Sequence, residues 1–297
     1  MKNFRGRAVG VFLATSVCTS AWCGPDLSTY QLTFDEEFTS LSISDSATND
    51  GKRWYTMTKP CCMSTSDGKL SYLWPNWPPA PPAAGTISPF TLIPGGGGNI
   101  RLSIQSPTSG AYAGKPVWIG GQIASVAPDG KGFSQQYGYF EMKAKFPAGS
   151  GTWPGFWMMA QPGADNNTSD GEIDIIEAFG AFDRGSSGAY KITLHDWKHN
   201  TVPFQQTINS GDLTAGFHTY GMLWTEQRID FYFDGARVAG TNTPDVMKQP
   251  YYILATLGMG GGWPTDQTSS PSDMQVEHVK AYQRGATATP EKGMPVR

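Results

Sequence analysis

Three carboxylates stand close together in Gly171-Glu172-Ile173-Asp174-Ile175-Ile176-Glu177-Ala178-Phe179, packed among isoleucines rather than polar residues. A solvated charge run keeps its acids in polar company. Acids interleaved with β-branched apolar residues fit a short strand with one polar face and one buried face. Period-2 alternation puts Glu172 and Asp174 on one face, with Ile173 and Ile175 on the other. Strict alternation would then bring Ile176 onto the acidic face. One extra residue, a β-bulge, returns Glu177 to it instead. Four strand steps span roughly 13 Å. Side chains reaching toward each other across a concave sheet then approach to about 5–6 Å, the separation two carboxylates need to cleave a glycosidic bond with retention. From this stretch alone, calcium binding by the cluster and acids that simply face solvent are the alternatives.

The elements that must hold this strand are short and extended. The chain has 297 residues, with 36 glycines, 22 prolines, ten tryptophans and only 16% charged residues. That composition fits a β-sandwich with elaborate loops better than a helical protein. Leu32 to Phe38 runs from an apolar strand into an acidic turn, and Asn99 to Ile104 alternates cleanly. Over Tyr137 to Phe146, residues Tyr137, Tyr139, Glu141, Lys143 and Lys145 share one face; Phe140, Met142, Ala144 and Phe146 share the other. Gly151 to Met159 leads through a polar loop at 161–170 into the acidic strand, and further strands are expected over Phe217 to Trp224, Tyr251 to Leu257 and Met274 to Tyr282. Ile229 to Phe233 followed by Asp234-Gly235 predicts a hairpin. Residues 39–98, rich in Ser, Pro, Gly and Trp, read as loops that shape a binding site or as a rigid surface excursion. No long amphipathic helix and no internal repeat stand out, so the fold class expected is all-β, a two-sheet β-sandwich or jelly roll.

Lys2, Arg5 and Arg7 precede the apolar run Ala8 to Val17 and the small residues Thr19-Ser20-Ala21, the layout of a cleaved signal peptide over residues 1–23. The expected organisation is that leader, one domain over 24–284 and a loose tail over 285–297. The mature chain is expected to be secreted or periplasmic. Net charge is −3 with no basic cluster, so neither nucleic acid nor a membrane surface is an expected partner. A monomer is expected. Cys18 would leave with the leader. Cys23, Cys61 and Cys62 remain, and a disulfide from Cys23 to Cys61 or Cys62, or between the adjacent pair, is the expectation in an oxidising compartment. No zinc-type spacing occurs, and no catalytic role falls to these cysteines.

Over residues 32–284 the chain resembles glycoside hydrolase family 16, the family of laminarinases, lichenases and agarases. The resemblance centres on Glu172 to Glu177, the six-residue bulged form of that family's active-site strand. It extends through Phe34 to Phe38, Tyr137 to Glu141, Trp153 to Trp157, Phe217 to Tyr220, Phe231 to Gly235, Gly260 to Pro264 and Val276 to Tyr282. It implies a jelly roll with a concave glycan cleft and a retaining, double-displacement mechanism. Glu172 would be the nucleophile, Glu177 the acid/base and Asp174 an assisting carboxyl. Three neighbouring carboxyls cannot all ionise at their ordinary values, which gives a physical basis for separate roles. Trp153, Trp157, Trp263 and His195 take substrate-binding positions by the same resemblance, Trp157 being equally a core candidate and His195 equally a structural histidine.

Three departures bear on specificity and metal. Tyr139 stands where many laminarinase-like members carry arginine, Thr256 replaces a frequent asparagine, and Glu277 replaces an aspartate that helps bind structural calcium. No cofactor is expected for catalysis, and a structural calcium stays open. The substrate implied is a polysaccharide, β-1,3- or mixed-linkage β-1,3-1,4-glucan, cleaved internally. Transglycosylation through the same intermediate is the alternative enzymatic reading, and a non-catalytic glycan-binding jelly roll is the alternative outside catalysis. The bulge points away from lichenase-type and plant xyloglucan-type relatives, whose strand is unbulged.

Overall fold

The computed structural model describes residues 24–56, 62–64, 70–74, 88–105, 114, 116–161, 170–179, 188–260, 265 and 268–285. Cys23, Cys61, Trp263 and the leader expected over residues 1–23 lie outside them. The strands follow in order as β1 (Tyr30–Glu36), β2 (Ile43–Ser44), β3 (Trp54–Tyr55), β4 (Cys62–Ser64), β5 (Leu70–Trp74), β6 (Phe90–Leu92), β7 (Gly98–Gln105), β8 (Val117–Ala124) and β9 (Gly138–Lys145). They continue as β10 (Thr152–Ala160), β11 (Gly171–Glu177), β12 (Ala189–Asp196), β13 (Thr201–Asn209), β14 (His218–Trp224), β15 (Arg228–Phe233), β16 (Ala236–Asn242), β17 (Tyr251–Met259) and β18 (Ser272–Arg284). The described residues add one 3-10 turn, Asp245–Met247.

Two sheets face each other. The front sheet runs β13–β12–β11–β10–β17–β8, antiparallel throughout. The back sheet runs β16–β15–β14–β9–β18, with β1 and the first half of β7 along the far side of β18. The second half of β7 crosses over to pair with β8, which ties the sheets together.

Alternation decides what enters the space between them. Phe140, Met142 and Ala144 of β9 and Tyr220, Met222 and Trp224 of β14 face Phe156 and Met158 of β10, Ile173 of β11 and Ile192 and Leu194 of β12 in one buried cluster. The faces expected for β9 hold on the buried side. Tyr139, on the other face, is also buried, its ring packed against Tyr232 and Tyr282. The Asp234-Gly235 hairpin forms between β15 and β16, with both residues at positive φ (47° and 79°), as a tight turn matched to strand twist requires. The acidic turn after β1 is structural in part: buried Glu36 accepts hydrogen bonds from the Trp54 indole (3.0 Å) and the Phe38 amide (2.6 Å). Among its described residues, the region read as loops, 39–98, contains the five short strands β2 to β6, of which β3 and β5 pair with β8.

Among the described residues no helix is long and apolar enough to cross a membrane.

Candidate active site

β11 lies between β10 and β12, and the bulge is where alternation required it. Phe156 pairs with Ile176 and Trp157 with Asp174, so Ile175 is the extra residue. On the other side Asp174 pairs with Thr193 and Glu177 with Lys191, two steps on β12 against three on β11. Ile175 and Ile176 are both buried in the core. One inserted residue therefore lets two successive isoleucines enter the core and still returns Glu177 to the face of Glu172 and Asp174. Residues directly opposite share a face. The same face thus carries Trp153, Gly155 and Trp157 of β10, Lys191, Thr193 and His195 of β12, and Thr256 of β17.

The three carboxyls sit in different surroundings. Asp174 is 2% exposed, and burial first, then the charges of Glu177 and Glu172, push its carboxyl well above the usual range. Asp174 is therefore harder to ionise than an ordinary aspartate, and it shares a hydrogen bond with Glu172. Glu177 is raised to about 7, mainly by burial, with the Glu172 charge adding to it. The Trp153 indole, donating to Glu177 Oε1 at 3.0 Å, and the Lys191 charge pull the other way. Glu172 accepts from the Trp197 indole at 3.2 Å. His195 Nε2 lies 3.2 Å from Asp174 Oδ2 and 4.0 Å from Glu172 Oε1, and burial lowers its proton affinity, so the imidazole is neutral at neutral pH. Donor atoms of Glu172, Asp174 and His195 lie within 4.8 Å of one another. At such distances the three groups titrate as a coupled set.

Of the residues expected to bind substrate, Trp153, Trp157 and His195 are on this face and Trp263 lies outside the described residues. Trp153 packs on Phe179 with centroids 5.4 Å apart. Trp157 is half-buried against Ala124, Val126, Tyr252 and Leu254, and its indole donates to Thr256 Oγ1 at 2.9 Å. Thr256, a departure in sequence, thus fixes the ring beside it. Tyr139 does not bear on the cleft. It belongs to the back sheet and points away from the core, its hydroxyl lying over Gly221, so the arginine-to-tyrosine departure carries no argument about substrate. Glu277 is on that outer face too, with Lys143 Nζ 2.8 Å from its carboxylate.

Trp197 was legible and overlooked. It follows His195 by two residues, continues the same face, stacks on the imidazole (centroids 4.6 Å apart, planes 3° apart) and is 46% exposed. Its indole contact with Glu172 depends on the pairing of β12 with β11, which no local pattern reveals.

Residues 98–280 match the model of the family described as glycosyl hydrolases family 16. The chain belongs to that family. Its similarity to curated proteins includes endo-1,3-1,4-beta-glycanase EglC of Rhizobium meliloti (strain 1021), 33% identical over 268 residues covering 86% of this chain and 52% of that protein. Endo-1,3-1,4-beta-glycanase ExsH of the same organism is 30% identical over 264 residues, again 86% and 52%. The chain spans about half the length of these curated relatives. Among solved structures, the family 16 non-specific endo-beta-1,3(4)-glucanase SCLam superposes with a TM-score of 0.66 at 26% identity, over 86% of this chain and 95% of that one. The laminarinase catalytic domain of Thermotoga maritima MSB8 gives 0.63 at 20% identity, over 86% and 98%, a likeness of fold. The two-sheet sandwich is thus the family 16 jelly roll.

Proposed function

We propose that this chain hydrolyses internal bonds of a β-1,3-1,4-linked or β-1,3-linked glucan with retention of configuration, Glu172 acting as nucleophile and Glu177 as acid/base. The observation that carries the reading is the Ile175 bulge, which sets Glu172, Asp174 and Glu177 on one face in environments that separate their proton affinities. The printed names of the relatives, endo-1,3-1,4-beta-glycanases and an endo-beta-1,3(4)-glucanase, support the substrate class.

In the first step a Glu172 oxygen bonds to the anomeric carbon as the bond to the leaving oxygen breaks, and protonated Glu177 gives that oxygen its proton. In the second, ionised Glu177 takes a proton from the attacking water, and the bond between Glu172 and the sugar breaks. A carboxyl near 7 is divided between both forms at neutral pH, as a group alternating between acid and base requires. Trp153 steadies its ionised form. Asp174, hydrogen-bonded to Glu172 and harder to ionise than an ordinary aspartate, orients the nucleophile. Trp153, Trp157 and Trp197 would offer flat apolar surface to sugar C–H faces.

Export as a secreted or periplasmic protein belongs to the same proposal, supported by the basic and apolar pattern of residues 1–23. The test is incubation of the chain with β-1,3-1,4-glucan, β-1,3-glucan and unrelated galactans, with sizing of the products. Oligosaccharides from the glucans, abolished by Glu172→Gln with binding retained, are expected. Intact glucans, or an active Glu172→Gln variant, would overturn the proposal.

A further inference from the structure

Glu177 is held from two sides, and only one of them is a charge. On β10 the side chain against it is Trp153, which donates to it at 3.0 Å and packs on Phe179. On β12 its direct partner across the ladder is Lys191. Lys191 Nζ lies 5.7 Å from the centroid of the same Phe179 ring. Three contacts link these side chains, the indole on the carboxyl, the indole on the phenyl and the ammonium over the phenyl, and strand register sets Lys191 directly opposite Glu177. Phe179 is buried and stands two residues after Glu177, past the end of β11, so the ring is fastened to the strand that carries the acid.

We propose that Lys191 is a positioning residue for the acid/base: carried on the face of Phe179, its ammonium keeps Glu177 able to shed its proton for the second step. The inference rests on the reading of Glu177 given above. The charged and titratable groups facing Glu177 are Glu172 and Asp174 on its own strand and Lys191 and His195 on β12. The described side chains of β10 and β17 on this face are Trp153, Trp157, Met159, Tyr252, Leu254 and Thr256; the one titratable group among them, the Tyr252 phenol, is pushed up by burial, so they bring no charge. Of the facing charges, Glu172 opposes the ionisation of Glu177 and Lys191 favours it. Without the ammonium, burial and the Glu172 charge would hold the proton on Glu177 to higher pH, good for the first step and adverse to the second. The half-exposed lysine is within reach of counterions, so its effect should weaken as salt rises.

Lys191→Met keeps an unbranched stem over Phe179 and removes the charge; Lys191→Arg keeps the charge. Two readouts are needed: the alkaline limb of kcat/KM on the glucan, and the titration of the Glu177 carboxyl carbon by NMR of 13C-labelled glutamate, assigned with Glu177→Gln. In Lys191→Met both should move up by about half to one pH unit at low salt, and by less in high salt. In Lys191→Arg both should stay near the original chain. An unmoved carbon titration in Lys191→Met, or an equal shift in Lys191→Arg, overturns the inference. Absence of glucan cleavage by the original chain would overturn the proposed function instead, and the carbon titration would still decide the role of Lys191.

Discussion

Replacing Trp153 by phenylalanine keeps an aromatic ring at the position and removes the five-membered part of the indole with its N–H. The ring still packs on Phe179, but the N–H that reaches Glu177 Oε1 at 3.0 Å is gone. A hydrogen bond to an ionised group is worth about 1.5–3 kcal/mol net. Water can replace part of it at this half-buried position, leaving a loss of about 1.4 kcal/mol in the ionised form. At 1.36 kcal/mol per pH unit, that lifts Glu177 from about 7 to about 8. Two consequences follow in opposite directions. The acid form survives to higher pH, so the alkaline limb of kcat/KM on a soluble glucan moves up by about one unit. The base form becomes scarcer, falling from about half to about a tenth at neutral pH, and the second step slows about fivefold. The assay is reducing-end release across a pH series for both proteins. An alkaline limb that stays in place or moves down would refute the argument, since it would mean the indole does not favour the ionised carboxyl.

Because Glu177 is raised from an ordinary 4.5 to about 7, the fold favours its protonated form; the stability this contributes is complete below about pH 4.5 and lost by about pH 7, roughly 3 kcal/mol in all. Glu177→Gln should therefore match the original Tm at low pH and exceed it at about pH 8, and an equal Tm difference at both pH values would contradict this. Trp197→Phe keeps the stack on His195 and loses the donor to Glu172, so kcat should fall several-fold with KM near its original value; Trp197→Ala loses the exposed face as well and should raise KM by up to about tenfold. Equal KM values in the two variants would remove Trp197 from substrate contact. Gly120→Ala would drive a methyl into the backbone carbonyl of Leu257, where nothing flexible can yield, and should cost about 1–3 kcal/mol or more, read as a Tm lowered by several degrees. An unchanged Tm would show that β8 and β17 approach less closely than described.

Sequence patterns revealed what depends on alternation and turn chemistry. Three apolar positions of β9, the Asp234-Gly235 turn and the Ile175 bulge were each legible because a period-2 pattern or a positive-φ pair leaves a local trace. β8 left none: every residue of Val117–Ala124 is buried, so it has no polar face to alternate with. β13 failed for the opposite reason, since most of Thr201–Asn209 is exposed at the sheet edge. The short strands β3 and β5 are held by pairing with distant β8, in a region whose proline and glycine content reads as loop. Within the site the acids were evident, but their partners were not. The indole of Trp197 on Glu172, Lys191 opposite Glu177 and Thr256 under Trp157 follow from strand register, which brings together residues from different strands. Register also corrected Tyr139, whose place in a shared motif says nothing about which sheet face it occupies.

The central claim is that the bulged strand makes Glu172 and Glu177 a retaining pair. Proton NMR of the new reducing ends, recorded in the first minutes of glucan cleavage before mutarotation, tests it most directly. The account predicts β-anomer signals first, with the α-anomer growing in later. An α-anomer formed first would mean direct attack by water and would contradict the assignment of Glu172 as nucleophile.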